Sequence, residues 1–171
     1  PKVVPQMAAL DGELMIGLPA NITAATGMDA LTHAVEAYIS ANAFEETDAC
    51  AIAATKLIME NLATCVKDGK DLEARQNMAL ASYYAGLAFT KAGVGYVHAI
   101  AHNFGAFYHT PHGLANSIVL PHVLDYSKDQ CIPRLAKLAE VSGLKKGKET
   151  QAQLAEAFND HIRDMSKEIG I

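Results

Sequence analysis

Asp29 and His33 stand four residues apart in Gly27-Met28-Asp29-Ala30-Leu31-Thr32-His33. His98 and His102 repeat that spacing in Tyr96-Val97-His98-Ala99-Ile100-Ala101-His102, and His112 follows in Thr110-Pro111-His112-Gly113. Residues four apart lie on one face of a helix, so each pair can aim two donors at one point. A carboxylate with imidazoles is a normal ligand set for a divalent transition metal such as zinc or ferrous iron. A cation held that way can act as a Lewis acid.

A plainer reading stands beside each pair. Asp29 and His33 can form an exposed i,i+4 ion pair worth roughly 0.2–0.5 kcal/mol, and for an isolated Asp-x-x-x-His that reading is the better one. Their surroundings argue the other way. Ala30, Thr32, Ala34 and Ala37 flank the stripe, and no Lys or Arg occurs from Val3 to Thr55. A solvated helix face usually carries some basic side chains. The stretch instead reads as a buried, acid-lined helix that needs a cation from elsewhere. His98 and His102 lie in a nearly apolar segment, where each imidazole needs a hydrogen-bond partner or a metal. A core histidine satisfied by hydrogen bonds and a metal ligand are equally good readings there. Pro111 constrains the turn before His112, so that ring can be aimed rigidly. His109 and His122 read as capping, packing or solvent-facing residues, and His161, in a charged segment, as a surface one.

These side chains need helices to position them. The first 22 residues, rich in Pro and Gly, read as extended connecting chain with a short strand at Lys2-Val3-Val4. Helices are expected at about 27–42, 46–67 and 71–91, the third apolar nearly all round and therefore buried. Gly93-Val94-Gly95 breaks the chain before a helix carrying His98 and His102. A fifth helix follows His112, with Pro121 stopping or kinking it. Two more cover about 133–141 and 150–168, the last opened by a Thr150/Gln153 capping box. The sum is an all-α fold of about seven helices with a short extended N-terminal segment.

Composition narrows the function. With 50% apolar and 19% charged residues, the chain has the material for a packed core. Its net charge of −5, with one short basic cluster at Lys145-Lys146-Gly147-Lys148, disfavours nucleic acid as a partner. Cys50, Cys65 and Cys131 form no Cys-x-x-Cys, and sparse thiols suit a cytoplasmic protein. No leader pattern and no unbroken apolar run of about 18 residues is visible, so no membrane association is expected. Gly93-Val94-Gly95 lacks the third Gly of a dinucleotide fingerprint, and His-Glu-x-x-His and Gly-x-Ser-x-Gly are absent. The first and last residues, Pro1 and Ile171, read as cut ends of a longer polypeptide.

Two long stretches carry a resemblance. Thr23-Ala24-Ala25-Thr26-Gly27-Met28-Asp29 through Tyr38, and Gly95 through Val123 with His98-Ala-Ile-Ala-His102 and Thr110-Pro-His112-Gly-Leu-Ala-Asn116, closely resemble the signatures of iron-containing (group III) alcohol dehydrogenases. The resemblance implies that Asp29, His33, His98 and His112 bind the metal, Fe2+ or Zn2+. It implies that His102 is the catalytic group handling substrate or proton, and that His102 and His112 adjoin the nicotinamide. The implied activity is NAD(P)-dependent oxidation of an alcohol or reduction of an aldehyde. The implied architecture sets residues 23–171 as a helical metal-binding domain, incomplete at its C-terminus. Residues 1–22 then connect it to a missing N-terminal nucleotide-binding domain, without which the fragment is inactive. A homodimer is compatible with this reading. Two alternatives remain open: a metallohydrolase using metal-bound water with Glu36 as its base, and a non-catalytic metal-binding helical module. Glu36 can also serve as a partner behind a ligand or as a buried helix-end contact. Phe104 and Phe107 can wall a small substrate, with core packing the better reading of both.

Overall fold

The computed structural model describes residues 5–171, so the strand expected at Lys2-Val3-Val4 lies outside the described residues. Helix α1 runs from Ala20 to Ile39, with Pro19 in extended backbone as its N-cap. It starts several residues earlier than sequence periodicity suggests, because a proline just ahead of a helix supplies a fixed φ and no N–H is lost that the helix could use. The connecting segment is correspondingly less extended than expected. Gly12–Met15 forms a 3-10 turn capped by Asp11, and Gly12 N–H donates to Gln76 Oε1 at 2.9 Å, which ties the segment to α3.

Helices α2 (Glu45–Lys67) and α3 (Leu72–Ala92) form a hairpin. Asp71 caps α3 by accepting the Ala74 N–H at 2.9 Å. The buried stripe of α3 carries Arg75 and Met78 near its start and is otherwise alanine, at Ala74, Ala81, Ala85, Ala88 and Ala92, whose small side chains let α1 and α2 come close. Its other face is open, with Tyr83 and Leu87 exposed. The apolar character all round α3 therefore does not mean burial all round. By length and composition α2 could cross a membrane, although acidic and polar residues interrupt it. Here it packs its buried face against α1 and α3 and opens with Glu45, Glu46 and Asp48.

Helix α4 (Tyr96–Tyr108) leads through His109, Thr110 and Pro111 into α5 (His112–Val141). His109 ends α4 in the left-handed conformation at φ 55°, which reverses the chain within three residues. The helix expected after His112 and the one expected at about 133–141 are one, and Pro121 does not end it. Each proline removes a helix N–H and crowds the carbonyl one turn back. Tertiary contacts carry α5 through these points. The Pro121 carbonyl accepts from Asn159 Nδ2 at 2.9 Å, and Leu120, Leu124, Leu135 and Leu138 are fully buried as α5 packs on α1, α4 and α6. Helix α6 (Gln151–Glu168) opens with the expected Thr150/Gln153 capping box. The described residues thus form six α-helices and one 3-10 turn without strands, close to the expected seven.

Helix α1 is the hub, packed on α2, α3 and α5. Two glycines set the spacing. A Cβ on Gly27 would strike the Leu62 side chain, and one on Gly113 would strike the backbone carbonyl of Ala25. The second contact is backbone to backbone and cannot be relieved by a rotamer change. Gly113→Ala is expected to lower the unfolding free energy by about 1–3 kcal/mol, read from urea denaturation followed by circular dichroism. An unchanged midpoint would show that α1 and α5 can separate freely.

Candidate metal centre

Asp29 and His33 project from the middle of α1, His98 from the first turn of α4, and His112 from the first residue of α5. Donor atoms of Asp29, His33 and His98 all lie within 4.8 Å of one another. His112 joins through Asp29, its Nε2 lying 3.3 Å from Asp29 Oδ1. His98 Nε2 is 3.5 Å from the same oxygen. The His33 ring is stacked between Phe89 and His98, with centroids 4.3 Å away on each side. Donors from three helices therefore gather around the Asp29 carboxylate, with His33, His98 and His112 each beside it.

His98 is 2% exposed and Glu36 3%. The Nδ1 of His98 lies 2.6 Å from Glu36 Oε2. A carboxylate can only accept, so Nδ1 carries the proton and Nε2 faces Asp29. Asn116, wholly buried, donates from Nδ2 to Asp29 Oδ1 at 2.6 Å. The same nitrogen lies 3.2 Å from His98 Nε2 and 3.1 Å from His112 Nε2, while its Oδ1 has no partner. That amide nitrogen thus sits against three atoms, all of which are candidate ligand atoms.

The electrostatics favour positive charge at this point. Burial works against ionising Asp29, yet hydrogen bonds from His98 and Asn116 and the nearby His33 and His112 rings hold its carboxyl below the usual range. Burial, reinforced by His98 and His112, keeps His33 below the ordinary imidazole range despite Asp29, which leaves a lone pair for ligation. Burial also pulls His98 down, but its bonds to Asp29 and Glu36 win and push it up to about 9. An oxygen and nitrogen donor set of this kind, backed by a second carboxylate, fits a divalent transition metal.

His102 does not join the cluster. It is exposed, and its ring lies 5.9 Å from that of His98 and 5.3 Å from that of His112. His112 is 44% exposed, so these two rings form the open rim of the site. Phe104 and Phe107 are not core residues, contrary to the reading from sequence, and are 42% and 75% exposed. The cause is helical phase. Tyr96, Ile100 and Phe104 sit two residues, about 200°, from His98 and His102, and line an apolar groove of about 580 Å³ with Ile118, His122 and Tyr126. Helix α4 thus shows its imidazoles on one face and this groove on the other. Sequence reasoning missed Asn116 and Phe89. The i,i+4 step from His112 was a signal for the first; nothing in the sequence flagged the second.

Residues 23–171 match the protein family described as Fe-containing alcohol dehydrogenase, C-terminal. The chain is 48% identical over 168 residues to 1,3-propanediol dehydrogenase of Citrobacter freundii, covering 98% of this chain and 43% of that protein. It is 44% identical over 170 residues to NAD-dependent methanol dehydrogenase of Bacillus methanolicus, covering 99% and 45%. It superposes on a crystal structure of 1,3-propanediol oxidoreductase with a TM-score of 0.92 at 49% identity, covering 94% of this chain and 42% of that one. The chain therefore spans less than half the length of the relatives it matches. Loaded anaerobically with Zn2+ or Fe2+ and then desalted, the wild-type chain is expected to retain metal. Asp29→Ala and His98→Ala should each lose more affinity than the roughly 10–100-fold that follows loss of an outer partner. Equal retention by all three, measured by elemental analysis, would refute the ligand assignment.

Proposed function

We propose a metal-assisted oxidoreductase role for this chain, which belongs to the Fe-containing alcohol dehydrogenase family: it supplies the metal-holding part of an enzyme acting on small alcohols or aldehydes with NAD(P). The observation that carries this reading is the convergence of Asp29, His33, His98 and His112 beneath an exposed His102. The names of relatives support the substrate class, since one acts on 1,3-propanediol and another is an NAD-dependent methanol dehydrogenase. The nucleotide would be bound mainly by a part of the parent protein beyond this chain.

Asp29, His33, His98 and His112 would hold Fe2+ or Zn2+, which when bound supplies Lewis-acid polarisation of the alcohol or aldehyde oxygen. The chain's own residues prepare that chemistry. Asp29 contributes the anionic oxygen, held ionised by its surrounding imidazoles. His33 is fixed between two rings and cannot swing away. His102, on the rim 5.3 Å from His112, can give or take the proton of the substrate oxygen. The hydrolase alternative needs a free carboxylate beside the site. Glu36 is not free, because Oε1 accepts the Val97 N–H at 2.6 Å and Oε2 bonds to His98.

The full-length parent is expected to reduce small aldehydes with NADH or NADPH. His102→Ala should cut kcat by about 10²–10⁴-fold, the usual worth of a positioned acid or base, with its metal content unchanged. Loss of metal in that variant would make His102 a ligand. Hydrolysis without nucleotide would overturn the oxidoreductase reading.

A further inference from the structure

Glu36 makes two short bonds to one helix turn. Its Oε1 accepts the backbone N–H of Val97 at 2.6 Å, and its Oε2 accepts from His98 Nδ1 at 2.6 Å. The N-cap of α4 is Gly95, which offers no side-chain oxygen. Val97 is the second residue of α4, the position whose N–H an N-cap side chain normally satisfies. Glu36 therefore caps α4 from another helix, 61 residues away in sequence. Gly95 leaves room for it, because a Cβ there would lie 2.9 Å from Glu36 Oε1. Both partners are almost completely buried, so no water competes for either bond.

We propose that Glu36 is the positioning residue of the metal centre: a single carboxylate fixes both the tautomer of His98 and the helix turn that carries it. This rests on the ligand reading given above. The two tasks require a carboxylate. Two donors face the side chain, the Val97 N–H and the His98 Nδ1–H, and a carboxylate has an acceptor for each. An amide has only one. In Glu36→Gln the amide oxygen would take the Val97 N–H, and the NH2 would then face His98 Nδ1. A donor there selects the opposite tautomer, with the proton on Nε2, the atom that must ligate. A purely structural helix-end contact would tolerate the change, since the cap bond survives.

The test uses the full chain and Zn2+ as the probe, read by competition with a chromophoric chelator and by 15N NMR of the histidine rings in the Zn2+-loaded chain. Glu36→Gln is expected to keep its helical circular dichroism, lose about 10–100-fold in Zn2+ affinity, and lose the slowly exchanging Nδ1–H signal of His98 that wild type shows. Gly95→Ala keeps the chemistry of Glu36 and of every ligand but displaces Oε1, and should lower affinity in the same direction. It decides the matter if Glu36→Gln does not fold. A folded Glu36→Gln with wild-type affinity overturns the proposal, as does Gly95→Ala with wild-type affinity beside an unfolded Glu36→Gln. A loaded wild type without the His98 Nδ1–H signal also overturns it. A wild-type chain that takes up no Zn2+ overturns the ligand reading and this proposal together, whereas the other outcomes leave the ligands standing.

Discussion

Everything at the metal centre depends on how closely α5 can approach α1, with α4 packed on α5 and joined to α1 through the Glu36 side chain. Aspartate and histidine are short side chains, so Asp29 and His112 meet only if the backbones of α1 and α5 nearly touch. The sequence arranges this with small residues. Gly113 abuts the Ala25 carbonyl, Gly27 admits Leu62, and Ala24, Ala30, Ala34 and Ala37 leave α1 without bulk where its neighbours cross. The same closeness explains why so few large side chains fill this part of the core. Packing density comes from backbone proximity, and bulkier residues such as Leu120, Leu124 and Phe158 carry the core further along, around α5 and α6.

Charge is partitioned as strictly as space. Among the described residues, Asp29 and Glu36 pair only with histidines, and no Lys or Arg reaches them. The buried Arg75 and the half-buried Arg134 are occupied elsewhere. Arg75 spends its guanidinium on the Gly69 and Leu18 carbonyls and the Thr23 hydroxyl. Arg134 stacks on Tyr38 and pairs with Asp48. A lysine or arginine near Asp29 would neutralise it and remove its attraction for a cation. The long run of sequence without basic residues is the one-dimensional trace of this exclusion.

Much of this was legible in the sequence, for reasons that differ by residue. Helices α2, α3 and α6 have local signals at their ends, Asp68, Asp71 and Thr150 with Gln153, and their bounds fall within a residue or so of the reading. The four candidate ligands were visible because i,i+4 spacing and two long motifs mark them. The continuity of α5 was not legible. Proline is a local breaker, and what sequence could not show is that α5 runs through Pro121 and Pro133 while packed on α1, α4 and α6. Spacing alone did not divide His98 from His102; the family resemblance did. Both sit in the same apolar run, and only the packing of α4 buries the first and exposes the second. Glu36 showed as a carboxylate one turn from His33, but its two bonds to α4 span 61 and 62 residues and are tertiary facts.

The candidate ligands come from three helices whose order in the chain leaves α2 and α3 between the first and the others. No two of these helices can present the full set, so the site forms only when the tertiary structure does. A cation bound there would act as a cross-link, closing a long loop of chain much as a disulfide does. Its binding free energy would then count as folding free energy, growing with free metal concentration. A chelator would thus act on the stability of the whole helical assembly as well as on its chemistry. Metal supply and protein lifetime would become a single coupled variable.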